Sequence, residues 1–261
     1  MLWLRKALRD AIATPFFATA AAALALCATS GAQSQLSFTL QGTGGPISVI
    51  DNVVFDTNPA LGLIGLDVPG ISPFFPDFQI ASLTATDNRA TGGPNDPASL
   101  IVTGMVQRVQ GLQPASLTIM VSDTGFLFPA GNPKTMTTAA SDTFTNTGPG
   151  SSATFQSYFD FTNTPFGTAI PSPLLAFVPP VGAGPFTLTN PGVATPLGAQ
   201  PVPYSLTNIT VLTLVGGETI QYSGSTVISA SPQVVPEPGT YAMLGGMLIP
   251  GGLYLLRRRR A

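Results

Sequence analysis

Carboxylates are the side chains of this chain that could do acid-base chemistry, because its 261 residues include no His and a single Cys. The lack of His excludes a Ser-His-Asp triad, a Cys-His dyad and a His-ligated zinc site. Residues 36–237 hold 11 of the 12 acidic residues, and glycoside hydrolysis needs two of these facing each other. Neither neighbours nor spacing mark out such a pair, so we predict that the protein is not an enzyme.

One group of oxygen-bearing side chains is a candidate metal site. Asp87, Asn88, Asn95 and Asp96 bracket a loop that contains Gly-Gly-Pro. Calcium takes about six to eight oxygen ligands and favours such loops, whereas Asp and Asn are also frequent in ordinary turns. The segment does not match an EF-hand. The sequence leaves a Ca²⁺ site and a plain turn as alternatives, and it indicates no other cofactor.

Aromatic side chains are candidates for binding sugars, since their rings offer an apolar face for stacking. The chain has one Trp, at position 3, so Phe and Tyr would have to serve in the body. The candidates are Phe74, Phe75, Phe78, Tyr158 and Tyr204. They make a carbohydrate-binding module an alternative function, although most Phe residues are expected in the core.

The distribution of charge excludes another class of partner. Residues 36–237 contain only Arg89, Arg108 and Lys134 against 11 acids, which gives a net charge of 3 − 11 = −8. So few cations cannot neutralise a phosphate backbone, and we expect no nucleic-acid partner. The other basic residues lie at the two ends of the chain, and such asymmetry indicates targeting segments.

The body between these ends is predicted to be all-β. Gly and Pro make up 28 + 26 = 54 of the 261 residues, which excludes long helical bundles. Short runs of alternating apolar and polar residues are typical of half-buried strands. Turn clusters separate these runs, so we predict one antiparallel β-sandwich or jelly roll over residues 33–230. The predicted strands are 36–41, 47–55, 78–86, 100–108, 116–122, 153–161, 206–215 and 219–229.

Two of these predictions are specific about side chains. Gly216 and Gly217 should form the turn of a hairpin, because two glycines supply the positive φ angles of a tight turn. Residues 209–215 are apolar on both faces, which places that strand inside the sandwich. The alternation in residues 153–161 predicts an inward face made of Phe155, Phe159 and Phe161.

The N-terminus has the layout of a secretory signal peptide over residues 1–32. A basic stretch precedes an apolar stretch rich in Ala and Leu, and small residues follow at Ser30 and Ala32. This order is typical of a segment that inserts into the secretion translocon. We predict that signal peptidase cuts between Ala32 and Gln33.

The C-terminus contains a short membrane segment. Residues 231–240 form a Pro-rich linker, and the apolar residues 241–256 follow. At about 1.5 Å per residue a helix of this length spans roughly 24 Å, less than the ~30 Å hydrocarbon core of a bilayer. The tail 257–261 should remain cytoplasmic because of its cations, which are Arg257, Arg258, Arg259 and Arg260.

The motif Pro236-Glu237-Pro238 with Gly239, the short apolar helix and the terminal Arg cluster together resemble the PEP-CTERM sorting signal. The resemblance covers about 27 residues at the C-terminus. It implies export in a Gram-negative bacterium and a transient stay in the inner membrane. It also implies cleavage near the motif by an exosortase, a membrane cysteine protease, before transfer to the cell surface or the extracellular matrix.

These observations predict an exported, non-enzymatic protein of the cell surface or the extracellular matrix. A carbohydrate-binding module associated with exopolysaccharide is the alternative, and an extracellular hydrolase is a third. The signal peptide, the acidic body and the C-terminal signal decide the route of the protein, while the task of the body has to be read from its structure.

Overall fold

The computed structural model describes residues 35–230 apart from Asp67, Ala90, Gln110 and Leu112. The predicted cleavage site at Ala32 and Gln33 and both targeting segments lie outside the described residues. The same holds for the sorting motif and the cationic tail, which comprise Pro236, Glu237, Pro238, Gly239, Arg257, Arg258, Arg259 and Arg260. Within the described part, none of the helices has the length and apolar character needed to cross a bilayer.

The regular elements of the described chain are thirteen strands and two single-turn helices. The helices are α1 at Val68–Ile71 and a 3-10 helix at Ser72–Phe74. The strands are β1 Ser37–Gly42, β2 Gly45–Ile50, β3 Leu63–Gly65, β4 Phe78–Asp87, β5 Ala98–Arg108, β6 Ala115–Phe126, β7 Lys134–Thr145, β8 Ser152–Asp160, β9 Ile170–Pro171, β10 Leu175–Phe177, β11 Phe186–Gly198, β12 Tyr204–Leu214 and β13 Thr219–Ala230. The all-β prediction is confirmed.

The strands form two antiparallel sheets, as in a β-sandwich. The first sheet has the order β10-β8-β12-β6-β1-β2, with β9 paired to β8, and the second has the order β11-β7-β13-β5-β4-β3. From β5 to β8 consecutive strands alternate between the two sheets. β12 and β13 follow each other along the chain but pair in different sheets, β12 with β6 and β8 and β13 with β5 and β7. The predicted hairpin is therefore wrong, because the chain crosses from one sheet to the other after β12. Each strand is central in its own sheet, which agrees with the predicted position of β12 inside the sandwich.

A polar contact joins the two sheets in the middle of the core. Asn208 on β12 donates through Nδ2 to the carbonyl oxygen of Leu100 on β5, at 3.0 Å. Its Oδ1 accepts the hydroxyl of Thr226 on β13, which also contacts the hydroxyl of Ser157 on β8. All three polar side chains are fully buried. Because buried polar groups are costly unless paired, this network fixes how the sheets face each other.

The connection between β12 and β13 also differs from the prediction in the roles of its two glycines. Gly217 has a positive φ of 84°, as a tight turn requires, but Gly216 is not among the residues with positive φ. A Cβ on Gly216 would lie 2.3 Å from the carbonyl oxygen of Gly111. Gly216 is therefore needed for close approach of another loop, whereas Gly217 is needed for its backbone conformation.

Strand predictions failed where apolar alternation was weak or ended early. The predicted strand 47–55 ends at Ile50. Phe161 lies in the turn after β8 and is 47% exposed, so its predicted inward position is wrong, while Phe155 and Phe159 are buried. The sequence interpretation missed β7, where Thr and Ala replace large apolar residues, and β11, which contains two prolines.

Close packing between the sheets predicts a strong effect of one added methyl group. A Cβ on Gly224 of β13 would lie 2.2 Å from Cε2 of Phe155. We expect Gly224→Ala to lower the free energy of unfolding by about 1–3 kcal/mol, because overpacking shifts side chains and backbone. Urea denaturation of residues 33–234 measures this, with Ser225→Ala on the outer side of β13 as the control. An equal free energy of unfolding for Gly224→Ala and Ser225→Ala would contradict the close contact between Gly224 and Phe155.

An acidic side chain is also buried between the sheets. Asp142 on β7 is 3% exposed, and its burial raises the pKa of the carboxyl group to about 7. Its register partner on β13 is Tyr222, whose pKa is raised well above 10 by burial and by the charge of Asp142. The tyrosine ring lies over Gly104, where a Cβ would approach it to 2.7 Å. The core therefore accommodates Asp142 better when it carries a proton.

This raised pKa predicts that the fold loses stability as the pH rises. Between about pH 4, where an unfolded Asp titrates, and pH 7 the folded state binds a proton that the unfolded state lacks. The stability that this proton adds to the folded state is fully present below about pH 4. It falls by up to about 1.4 kcal/mol per pH unit as the pH rises towards 7. Asp142→Asn should reduce this slope in urea denaturation between pH 5 and pH 8. Ser141→Ala, its outward-facing neighbour, should keep the slope of the unchanged protein.

Candidate functional site

The outer face of the second sheet carries a row of hydroxyl groups that crosses five strands. The register aligns Thr189 on β11 with Ser141 on β7, and Ser141 with Ser223 on β13. Ser223 is aligned with Thr103 on β5, which is aligned with Thr84 on β4. Residues directly opposite each other in antiparallel strands project from the same face. We call this set of five side chains the first row.

A second row lies beside the first, two residues further along each strand. It contains Thr187, Thr143, Gln221, Met105 and Ser82, aligned by the same strand pairs. Neighbouring hydroxyls within the rows contact each other, with Thr84 and Thr103 at 2.7 Å and Thr143 and Thr187 at 3.0 Å. The two rows together are referred to as the hydroxyl face.

A shallow depression of about 290 Å³ lies on the hydroxyl face. Six side chains of the two rows line it, and none of its lining residues carries a charge; the lining residues are Ser82, Thr103, Gly104, Ser141, Thr143, Gln221, Tyr222 and Ser223. Gly104 and Tyr222 have inward positions, so they present their backbone to the depression. The surface can donate and accept hydrogen bonds at many points, and it offers neither an aromatic ring nor a fixed charge to a ligand.

Local sequence explains why these strands present hydroxyls. Burial alternates strictly along β5 and β7. Thr or Ser occupies five of the six outward positions of β7, whereas β5 also carries Ile101 and Met105 on its outward side. Thr is favoured in strands because its branched side chain packs well on a pleated surface. The signal was therefore visible as Thr and Ser at alternate positions of residues 134–145 and 219–229. The sequence interpretation used this pattern for the strand 219–229, did not recognise it in residues 134–145, and missed its meaning for the surface in both.

The aromatic candidates for sugar stacking do not form a site. Phe75, Phe78 and Tyr204 are buried in the core, with exposed fractions of 3% or less. Tyr204 packs against Phe126 and Phe159. Of the remaining candidates, Phe74 is 46% exposed near the hairpin of β1 and β2, and Tyr158 lies on the outer face of the first sheet.

The candidate calcium ligands are occupied by turn contacts. Asn88 accepts the amide of Ser99 through Oδ1 at 2.7 Å, and Asp96 accepts the amide of Gly93 through Oδ2 at 2.6 Å. Asp87 accepts the amide of Arg89 at 2.7 Å, and Asn95 is exposed. Among the residues that the structure describes, no three His, Cys, Asp or Glu side chains are placed to hold a metal ion. The structure thus favours the turn interpretation.

A buried group of acids lies at the end of the sandwich that carries Ala230. Asp123 on β6 pairs with Arg89 at 3.2 Å and accepts the amide of Thr124 at 2.8 Å. Asp51 accepts the amide of Gly62 at 2.9 Å. Burial and the charge of Asp87 raise the pKa of Asp123 to about 7, and burial also raises the pKa of Asp87 and of Asp51.

The carboxylates of this acidic group hold the adjoining loops through hydrogen bonds from backbone amides. Oδ2 of Asp87 and Oδ2 of Asp123 are both buried and accept no hydrogen bond from the described residues. One proton shared between the two carboxyl groups would give both oxygens a partner. The side chain of Asp123 is 0% exposed, whereas Asp87 is half-buried. Sequence reasoning missed the group because its members come from distant parts of the chain.

Comparisons with known proteins give no family. No protein-family model matches the chain, and no curated protein matches it. Among solved structures, the enzymatically active domain of tailspike protein 4 of bacteriophage CBA120 is similar over 56% of this chain at 13% identity and a TM-score of 0.25. The chain spans 19% of the length of that tailspike chain.

Two carbohydrate-binding modules are also similar. TmCBM27, whose structure concerns specific mannan recognition, is 7% identical with a TM-score of 0.26, over 65% of this chain and 99% of that chain. A carbohydrate-binding module from the β-sandwich superfamily, described for promiscuous specificity, is 12% identical with a TM-score of 0.23, over 73% of this chain and 72% of that chain.

Proposed function

We propose that this chain is an exported, non-enzymatic protein of the cell surface or the extracellular matrix whose β-sandwich binds polysaccharide through the hydroxyl face. The observation that carries the proposal is the depression of about 290 Å³, lined by uncharged hydroxyl and amide side chains from four neighbouring strands. Sugar hydroxyls both donate and accept hydrogen bonds, as do Ser, Thr and Gln side chains. The two surfaces are therefore chemically complementary.

The geometry also favours a polymer over a small ligand. The depression is shallow and the rows extend beyond it to β11, so a ligand would lie along a surface and would not be enclosed. Small-molecule sites are usually concave and mostly apolar, and this face is neither deep nor apolar. An extended polysaccharide, which carries hydroxyl groups on every sugar, could contact the whole length of the rows.

Sorting completes the proposal, and it depends on the sequence motif around Pro236. The described body ends with β13 at Ala230, and five residues separate this strand from Pro236. Extended chain covers at most about 3.3–3.6 Å per residue, so the six steps from Ala230 to Pro236 can span up to roughly 20 Å. This distance supports access by a membrane protease such as exosortase while the body remains folded.

Binding to polysaccharide should depend on the hydroxyl face. We expect residues 33–234, which contain both sheets, to be retained by immobilised polysaccharide from exopolysaccharide-producing bacteria. The double variant Thr103→Val, Thr143→Val should bind roughly tenfold or more weakly, because each lost neutral hydrogen bond contributes about 0.5–1.5 kcal/mol. Affinity electrophoresis measures the change.

A matched control is available on the opposite side of the sandwich. Thr154 on β8 has an outward position on the first sheet, and Thr154→Val makes the same change of side chain away from the hydroxyl face. It should bind like the unchanged protein. If the double variant binds as tightly as this control, the hydroxyl face is not the binding site.

Sorting should depend on the Pro-Glu-Pro motif. Replacing Pro236-Glu237-Pro238 by three Ala residues should leave the uncleaved protein in the inner membrane, since the prolines keep the recognition segment extended. Fractionation and intact-mass analysis in the native host measure this and locate both cleavage sites. Pro232→Ala, in the same linker, should be processed normally. Surface delivery of the Ala variant would contradict the proposed route.

A further inference from the structure

We infer that the hydroxyl face binds an uncharged, extended glycan that lies across the strands and contacts several sugars at once. The inference rests on the proposed function and narrows its ligand class. An acidic polysaccharide and a single sugar unit are the ligands that it excludes.

The charge of the site points to an uncharged glycan. No lining residue of the depression is charged, so a carboxylated or sulfated sugar would find no cation on this face. Residues 36–237 carry a net charge of −8, and like charges repel an anionic polymer. Two of the three basic residues of the body are engaged in ion pairs elsewhere, Arg89 with Asp123 and Arg108 with Asp77.

The length of the first row points to a chain of several sugars. The row crosses five strands, and neighbouring strands lie about 4.8 Å apart, which gives a length of roughly 19 Å. Beyond Thr84 the next strand places Gly65 opposite it, and a Cβ there would lie 3.2 Å from the hydroxyl of Thr57. A polar loop thus bounds the row on this side. The other side ends at the exposed Thr189 on β11.

The lack of an aromatic platform makes several contacts necessary. Among the lining residues the only aromatic one is Tyr222, and its ring lies on the inner side of the sheet over Gly104. Without stacking, each sugar is held by neutral hydrogen bonds that contribute about 0.5–1.5 kcal/mol each. One sugar over one or two strands gains too little to offset the entropy lost on binding. About five sugars, one for each strand of the row, would fill it.

The test uses residues 33–234, which include the complete core of the described sandwich. The uncharged probes are β-glucan, dextran and mannan, and the acidic probes are alginate and polygalacturonate. A ladder of oligosaccharides from the disaccharide to the hexasaccharide is made from the uncharged polymer that is retained most strongly. Isothermal titration calorimetry then measures the affinity for each length.

We expect retention on an uncharged polymer, affinity that rises more than tenfold from the disaccharide to the hexasaccharide, and no retention on alginate. Equal affinity for the disaccharide and the hexasaccharide would overturn the extended ligand. Retention on the acidic polymers equal to that on the uncharged ones would overturn the ligand class. Absence of retention on every polymer would instead refute the proposed function itself, and with it this inference.

A charge substitution tests the location independently of the length series. Gln221 lies in the middle of the second row, between Thr143 and Met105. Gln221→Lys should produce binding to alginate at low salt that weakens as salt is added, because the new cation is screened. Thr154→Lys, on the outer face of the other sheet, should produce no such binding. Equal binding of alginate by both variants would place the ligand elsewhere.

Discussion

The contact of Asn208 with the opposite sheet is the interaction on which the rest of the structure depends. Its side chain donates to the carbonyl of Leu100 on β5 and accepts from Thr226 on β13, so one residue of the first sheet is bonded to two central strands of the second. Apolar contacts alone are non-directional, and many alignments of two apolar faces bury similar area. A buried amide that is paired only in one alignment is costly in every other.

The hydroxyl face follows from that alignment. β5, β13 and β7 carry their outward hydroxyls in register. The inward residues of the same strands pack in the core between the two sheets and hold this sheet in place. Phe155 lies against Gly224, and the ring of Tyr222 lies over Gly104, so large side chains of the core meet glycines. The small residues allow close packing under the centre of the depression. The proposed binding would depend on such a firm base, because contacts without charges or rings are individually weak.

How much could be predicted from the sequence depended on the kind of signal. Strands with large apolar residues at every second position, such as Leu117, Ile119 and Val121, were identifiable because burial gives a period of two. β7 was not, since its outward Thr and small inward residues resemble a polar loop. The rows on the hydroxyl face arise from pairing between β4, β5, β13, β7 and β11. Most of these partners are distant in sequence, so the alternation within one strand does not show which strand it pairs with. The predicted inward position of Phe161 was wrong for a local reason, because β8 ends one residue before it, at Asp160.

The strand that lines the site is also the strand that leads towards the sorting motif. β13 supplies Gln221 and Ser223 to the hydroxyl face and ends at Ala230, six residues before Pro236. It lies between β5 and β7, paired with ten residues of β5 and with twelve of β7. Force applied to the end of β13 along the direction of the strand would load both ladders together. Hydrogen bonds loaded in parallel share the force, whereas an edge strand peeled from its end would lose them one at a time.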